Sequence, residues 1–102
     1  MKRTLAAACA ALLSLSASAA FAQEAITVKL QKPVTTESKI IAGGAVFVCN
    51  ADSCVAGTPV SETFGVVTCK ELARRVGPVV SFAGYRALSA DELGRCNTSA
   101  KK

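Results

Sequence analysis

The sequence predicts a small α+β domain stapled by disulfides: an antiparallel sheet of about four strands with two short helices, in the order βββαβα. Three observations predict it. Behind an Ala- and Leu-rich start, about 80 of the 102 residues remain, enough for one small domain. Within that remainder, short runs alternate apolar and polar residues with period two, and others repeat at helical spacing. Four cysteines, Cys49, Cys54, Cys69 and Cys96, lie there as well, an even number of the kind that staples small exported domains with limited cores.

The start reads as an export signal. Lys2 and Arg3 are basic, Leu5 to Ala20 carries no charge, and Ala20-Phe21-Ala22 offers small residues where a signal peptidase reads. Residues 1–22 are expected to be a signal peptide cut between Ala22 and Gln23. The rival is an anchor, because Leu5 to Ala22 is 18 residues long, the short limit of a span. Its Ala and Ser content and its cleavage motif favour removal. Cys9 sits too early for lipid attachment and leaves with the leader. No later apolar stretch approaches that length, so the mature chain is expected to span no membrane. The expected location is periplasmic or secreted, from a Gram-negative bacterium.

The first strand is Ile26 to Leu30, where Ile26, Val28 and Leu30 alternate with Thr27 and Lys29, a half-buried pattern ended near Pro33. Thr35 to Lys39 is polar and reads as a loop. Ile40-Ile41-Ala42 is a short apolar run, and Gly43-Gly44 reads as a bulge or kink entering the next strand. A phosphate-cradling loop would need further glycines, a Lys and a helix start that are missing here. Val46 to Cys49 and Cys54 to Ala56 form a hairpin around Asn50-Ala51-Asp52-Ser53, side chains that favour turns. Gly57 to Phe64 is a turn-rich connection.

Thr68 and Glu71 form a capping-box pattern, and Cys69, Leu72, Ala73 and Val76 repeat at i, i+3, i+4 and i+7 on one face. Arg74 and Arg75 in the last turn suit the helix dipole, and Gly77-Pro78 stops the helix. Val79 to Ala83 is the fourth strand. Ser89 and Glu92 make a second capping box, with Ala90, Leu93 and Cys96 on one face of a short helix. The domain is expected over residues 23–97, and 98–102 as a frayed basic tail.

Local structure selects among the three possible cysteine pairings. A tight hairpin sets Cys49 opposite Cys54, at the spacing a disulfide needs, which leaves Cys69 to join Cys96 across the two helices. A four-thiolate zinc site would want closer pairs than C-x4-C and C-x26-C, and a redox enzyme would want C-x-x-C. No metal or cofactor is expected.

With no His anywhere, a Ser-His-Asp triad and a Cys-His pair are excluded. Glu62, Asp52, Ser61, Ser81 and Tyr85 are the candidate groups for an enzyme, and none has a partner at diagnostic spacing. After the leader, ten Lys and Arg face seven Asp and Glu, a net charge of +3. The basic residues are dispersed apart from Arg74-Arg75 and Lys101-Lys102, without interleaved aromatics, so no nucleic-acid partner is expected.

Gly43-Gly44-Ala45-Val46-Phe47-Val48-Cys49, the Cys54 hairpin, Cys69-Lys70-Glu71-Leu72 running to Val76-Gly77-Pro78-Val79, and Glu92-Leu93 running to Cys96-Asn97 together resemble a family of small exported, four-cysteine alphaproteobacterial proteins of unknown function. The resemblance covers most of the mature chain, departs at Phe47, where members often carry Trp, and implies export and disulfides without an activity. The expected function is a non-enzymatic binding or interaction module with an unidentified protein or envelope component as partner. The alternatives are an inhibitor or envelope-stress protein acting through the Cys49–Cys54 hairpin, or a small enzyme.

Overall fold

A computed structural model describes residues 24–101. The expected signal peptide and its expected cleavage site between Ala22 and Gln23 lie outside the described residues. The chain forms β1 (Ile26–Leu30), β2 (Ser38–Ala42), β3 (Ala45–Asn50), β4 (Ser53–Ala56), α1 (Val66–Val76), β5 (Val79–Ala83) and α2 (Ala90–Asn97). The strands make one five-stranded sheet in the order β2-β3-β4-β1-β5, with every pair antiparallel. The fold is the α+β class expected from the sequence, with one strand more.

The additional strand is β2. Its strand signal is weak because Ser38 and Lys39 are polar and the exposed Ile41 between buried Ile40 and Ala42 hides the alternation. Its five pairs run from Ser38↔Cys49 to Ala42↔Ala45, so Gly43-Gly44 is a two-residue hairpin turn and not a bulge. Both glycines take positive φ, 58° and 78°, the requirement of a type I′ turn. Likewise Asn50 pairs with Ser53, which shortens the expected four-residue loop to Ala51-Asp52.

Alternation sends one side chain in two to a single core. Ile26, Val28 and Leu30 from β1, Phe47 and Cys49 from β3, Cys54 and Ala56 from β4 and Phe82 from β5 meet Cys69, Leu72 and Ala73 of α1 and Cys96 of α2. Both helices therefore cover the same face of the sheet, and the opposite face is open. Cys49 is bonded to Cys54 and Cys69 to Cys96, and all four are fully buried.

The two capping boxes have different outcomes. At α2, Ser89 Oγ accepts from Glu92 N at 3.2 Å and Glu92 Oε1 accepts from Ser89 N at 2.9 Å, as the sequence predicts. At α1 no such box forms: the helix starts three residues earlier, at Val66, behind Gly65 with no side-chain cap. Thr68 is buried in the first turn, and Glu71 is directed elsewhere. Past α2, Lys101 N donates to Ala73 O at 2.8 Å and Ala100 packs on the core, so the end of the described chain rests along α1. Asn97 closes the sheet's far margin. Its side-chain amide accepts from Val79 N at 2.8 Å and donates to Val79 O at 2.9 Å.

Candidate functional site

The margin of β2 is where the fold concentrates unsatisfied chemistry, and the Gly43-Gly44 turn builds it. Glu71 Oε1 accepts from Gly43 N at 2.9 Å. The buried Thr63 hydroxyl donates to Gly43 O at 2.8 Å and accepts from Val60 N at 2.9 Å. The Thr68 side chain lies against Gly43 so closely that a Cβ there would collide with it. The turn is thereby fastened to α1 on one side and to the β4–α1 connection on the other. A phosphate-binding use of these glycines is ruled out for Gly43, whose N–H is already engaged.

This attachment holds α1 alongside β2 with a cleft between them. The cleft is about 440 Å³ and is lined by Ile41, Gly44, Glu71, Arg74 and Arg75. A second hollow of about 300 Å³ is lined by Lys32, Thr35, Arg75, Val76 and Lys101. Arg75 lines both hollows. Neither Arg74 nor Arg75 has a carboxylate at ion-pair distance among the described residues, where the ion pair present is Arg86–Glu92. The same holds for Lys32 and Lys101. The two hollows are therefore predominantly basic, with Glu71 at the turn end already accepting the Gly43 amide.

The open face of the sheet begins at the same margin. Ile41 pairs with Val46, and Val48 pairs with Lys39 on one side and Val55 on the other. Ile41 is 71% exposed, Val46 48% and Val55 39%. An antiparallel sheet with one covered face normally alternates apolar-in and polar-out. Here the outward positions of β2, β3 and β4 form a contiguous apolar patch flanked by Lys39 and, across β4, by Lys29 of β1.

The remaining candidate residues do not converge. Asp52 occupies the β3–β4 loop, Glu62 is exposed, and Ser81 lies in β5. Ser61 and Tyr85 share only the rim of a crevice of about 30 Å³ beside Phe64. No hydrogen bond joins any two of them among the described residues. Tyr85 instead completes a structural corner. Its ring tilts on Phe64 at 4.9 Å and Phe64 meets Phe82 edge-on at 5.4 Å, while the Arg86 guanidinium sits 5.0 Å over the Phe64 ring. Arg86 also forks onto both Glu92 oxygens at 3.1 Å. That fork, followed by the Ser89 amide, holds the Glu92 carboxyl down at about 2, and the same pairing raises Arg86 above its ordinary value. Among the described residues no three His, Cys, Asp or Glu side chains converge as metal ligands would.

The hairpin closed by Cys49–Cys54 is not a projecting loop. Its carbonyls are engaged by the chain that leaves β1: Leu30 N donates to Asp52 O and Val34 N donates to Ala51 O, both at 2.8 Å. In the sequence, Arg74 and Arg75 stand out as a basic pair and as complements of the helix dipole, without a cleft. That cleft depends on β2, whose strand signal is weak, although Gly43-Gly44 is a hairpin signal in plain view.

No curated protein and no solved structure matches the chain. The model of a family of unknown function, DUF8200, matches residues 7–98, and the chain belongs to that family.

Proposed function

We propose that the mature chain is a small exported module that works by binding a partner and not by catalysis. The observation that carries this reading is the apolar patch of Ile41, Val46, Val48 and Val55 on the open sheet face. Contiguous exposed apolar surface rimmed by polar groups marks interaction sites. The candidate nucleophiles and carboxylates are scattered, which supports binding over chemistry. Two fully buried disulfides favour an oxidising compartment, periplasmic or extracellular, in keeping with the signal-like start. No helix among the described residues is long and apolar enough to cross a membrane. The inhibitor alternative needs a projecting hairpin tip, and the bonds from Leu30 and Val34 to that tip weigh against it.

The test compares wild type with an Ile41→Glu/Val46→Glu variant as bait in envelope extracts of the producing cell. A stoichiometric partner retained by wild type and lost from the folded variant supports the reading. Turnover of a substrate by the purified chain, or capture that ignores the patch, overturns it. Inhibition of a captured hydrolase would instead single out the inhibitor alternative.

A further inference from the structure

We propose that the free edge of β2, with the arginine-lined cleft beside α1, takes up an extended acidic peptide as a sixth strand. The inference rests on the binding reading above and specifies the partner's chemistry and its seat.

The first support is the edge itself. β2 is one of the sheet's two edge strands. In an antiparallel pair, residues alternate between exchanging both hydrogen bonds with their partner and turning them away. The two-residue turn makes Ala42↔Ala45 a hydrogen-bonded pair, so Ile40↔Phe47 and Ser38↔Cys49 are bonded as well. Lys39 and Ile41 therefore aim their N–H and C=O groups outward, and none of these finds a partner among the described residues. Two donors and two acceptors in one row form a template for strand addition.

The second support is what flanks the template. The cleft between β2 and α1 carries Arg74 and Arg75, and Arg75 also lines the neighbouring hollow with Lys32 and Lys101. Side chains of an added strand alternate between two sides. Those on the helix side meet the two arginines, and those on the other side extend the apolar patch at Ile41. The complementary ligand thus alternates carboxylate and aliphatic residues. Glu71, accepting the Gly43 amide at the turn end, directs the acidic positions towards Arg75 and Lys32. Charge also argues against a second copy of this chain at the edge. Pairing β2 with β2 of a twin would bring two copies of Lys39, Arg74 and Arg75 to one seam against two of Glu37 and Glu71, leaving it net positive, and edge lysines oppose such pairing.

The test uses the mature, disulfide-bonded chain and an end-blocked heptapeptide alternating valine and glutamate. The controls are its valine–lysine counterpart and a scramble of the same composition. Binding is followed by fluorescence polarisation, and hydrogen exchange of the Lys39 and Ile41 amides by NMR. The expected result is saturable binding of the glutamate peptide alone, weakened about tenfold or more by Arg74→Gln/Arg75→Gln through loss of charge-assisted contacts, with slowed exchange at both amides. An Ile41→Pro variant removes one outward N–H while leaving the bonds to β3 in place, and is expected to weaken binding. Should that variant fail to fold, the exchange measurement on wild type decides. Equal binding of scrambled or lysine peptides, no binding, or unprotected Lys39 and Ile41 amides overturns the inference. A wild-type dimer that Ile41→Pro dissolves also overturns it, by assigning the edge to a second copy. Failure of the peptide alongside patch-dependent capture of a partner removes the edge inference and leaves the binding reading standing.

Discussion

Gly43 is held from three directions at once: its amide by Glu71, its carbonyl by Thr63, and its missing side chain by Thr68. Its positive φ adds a backbone reason for glycine, but Gly44 shares that reason while meeting only Val60 at van der Waals distance. The pair therefore separates two effects. Gly44→Ala is expected to cost about 1 to 2 kcal/mol, the left-handed penalty of a side chain. Gly43→Ala adds the collision with Thr68 and is expected to cost about 1 to 3 kcal/mol beyond that. Urea melts of both variants check the ranking, and equal midpoints would show that the turn floats free of α1. Ala51 presents the reverse case, a non-glycine residue at φ 53° in the β3–β4 loop. Ala51→Gly is expected to raise stability by about 0.5 to 1 kcal/mol, since relief of the left-handed strain outweighs the added freedom of the unfolded chain. The Gly pair was visible in the sequence, but the three contacts that make Gly43 irreplaceable come from residues 20 to 28 positions away, which no local pattern encodes.

The two helices show why one start was legible and the other was not. Ser89 and Glu92 have no competing partner for the α2 cap except Arg86, which reinforces it. The same motif at α1 lost Glu71 to the Gly43 amide and Thr68 to the interior, so tertiary bonding overrode the local signal. Strand β2 was obscured because Ile41, apolar yet facing outward, breaks the apolar–polar alternation between buried Ile40 and Ala42. The α2 cap also carries a pH dependence. Glu92 in the folded chain titrates at about 2, below its usual 4.5. Its ionised form is therefore favoured by folding, and the stabilisation is fully present above about pH 4.5 and is lost as pH falls towards 2. The group is exposed, so the effect is modest and screened by salt. Melting temperatures of wild type between pH 6 and pH 2 are expected to fall more steeply than those of Glu92→Gln. Parallel curves for the two proteins would mean that other carboxylates set the acid limit.

At the scale of the molecule, the sheet order β2-β3-β4-β1-β5 places the first strand between β4 and β5. That arrangement joins residues 24 or more positions apart, and periodicity cannot report it. The cysteine pairing, in contrast, was legible, because a tight hairpin and two apolar helix faces left a single consistent solution. The two bridges act on different lengths of chain: Cys49–Cys54 closes a separation of 5 residues and Cys69–Cys96 one of 27. Loop-closure entropy gives about 2 kcal/mol for the first and about 3.5 kcal/mol for the second. Their settings reinforce that order. The short bridge sits within a hairpin whose strands are central in the sheet and already paired on both sides. The long bridge joins α1 to α2, each of 11 residues or fewer and marginal as an isolated helix. All four sulfurs are fully buried, so replacing either pair by Ser buries two hydroxyls and that penalty is common to both variants. The Cys69→Ser/Cys96→Ser variant is thus expected to lose about 1 to 1.5 kcal/mol more than Cys49→Ser/Cys54→Ser. In a domain whose total stability is a few kcal/mol, that difference is enough to leave the first variant unfolded at body temperature while the second still melts cooperatively. Thermal melts followed by circular dichroism decide between them, and a lower midpoint for the hairpin variant would mean that the central strands depend on their staple and the helices are held by packing alone.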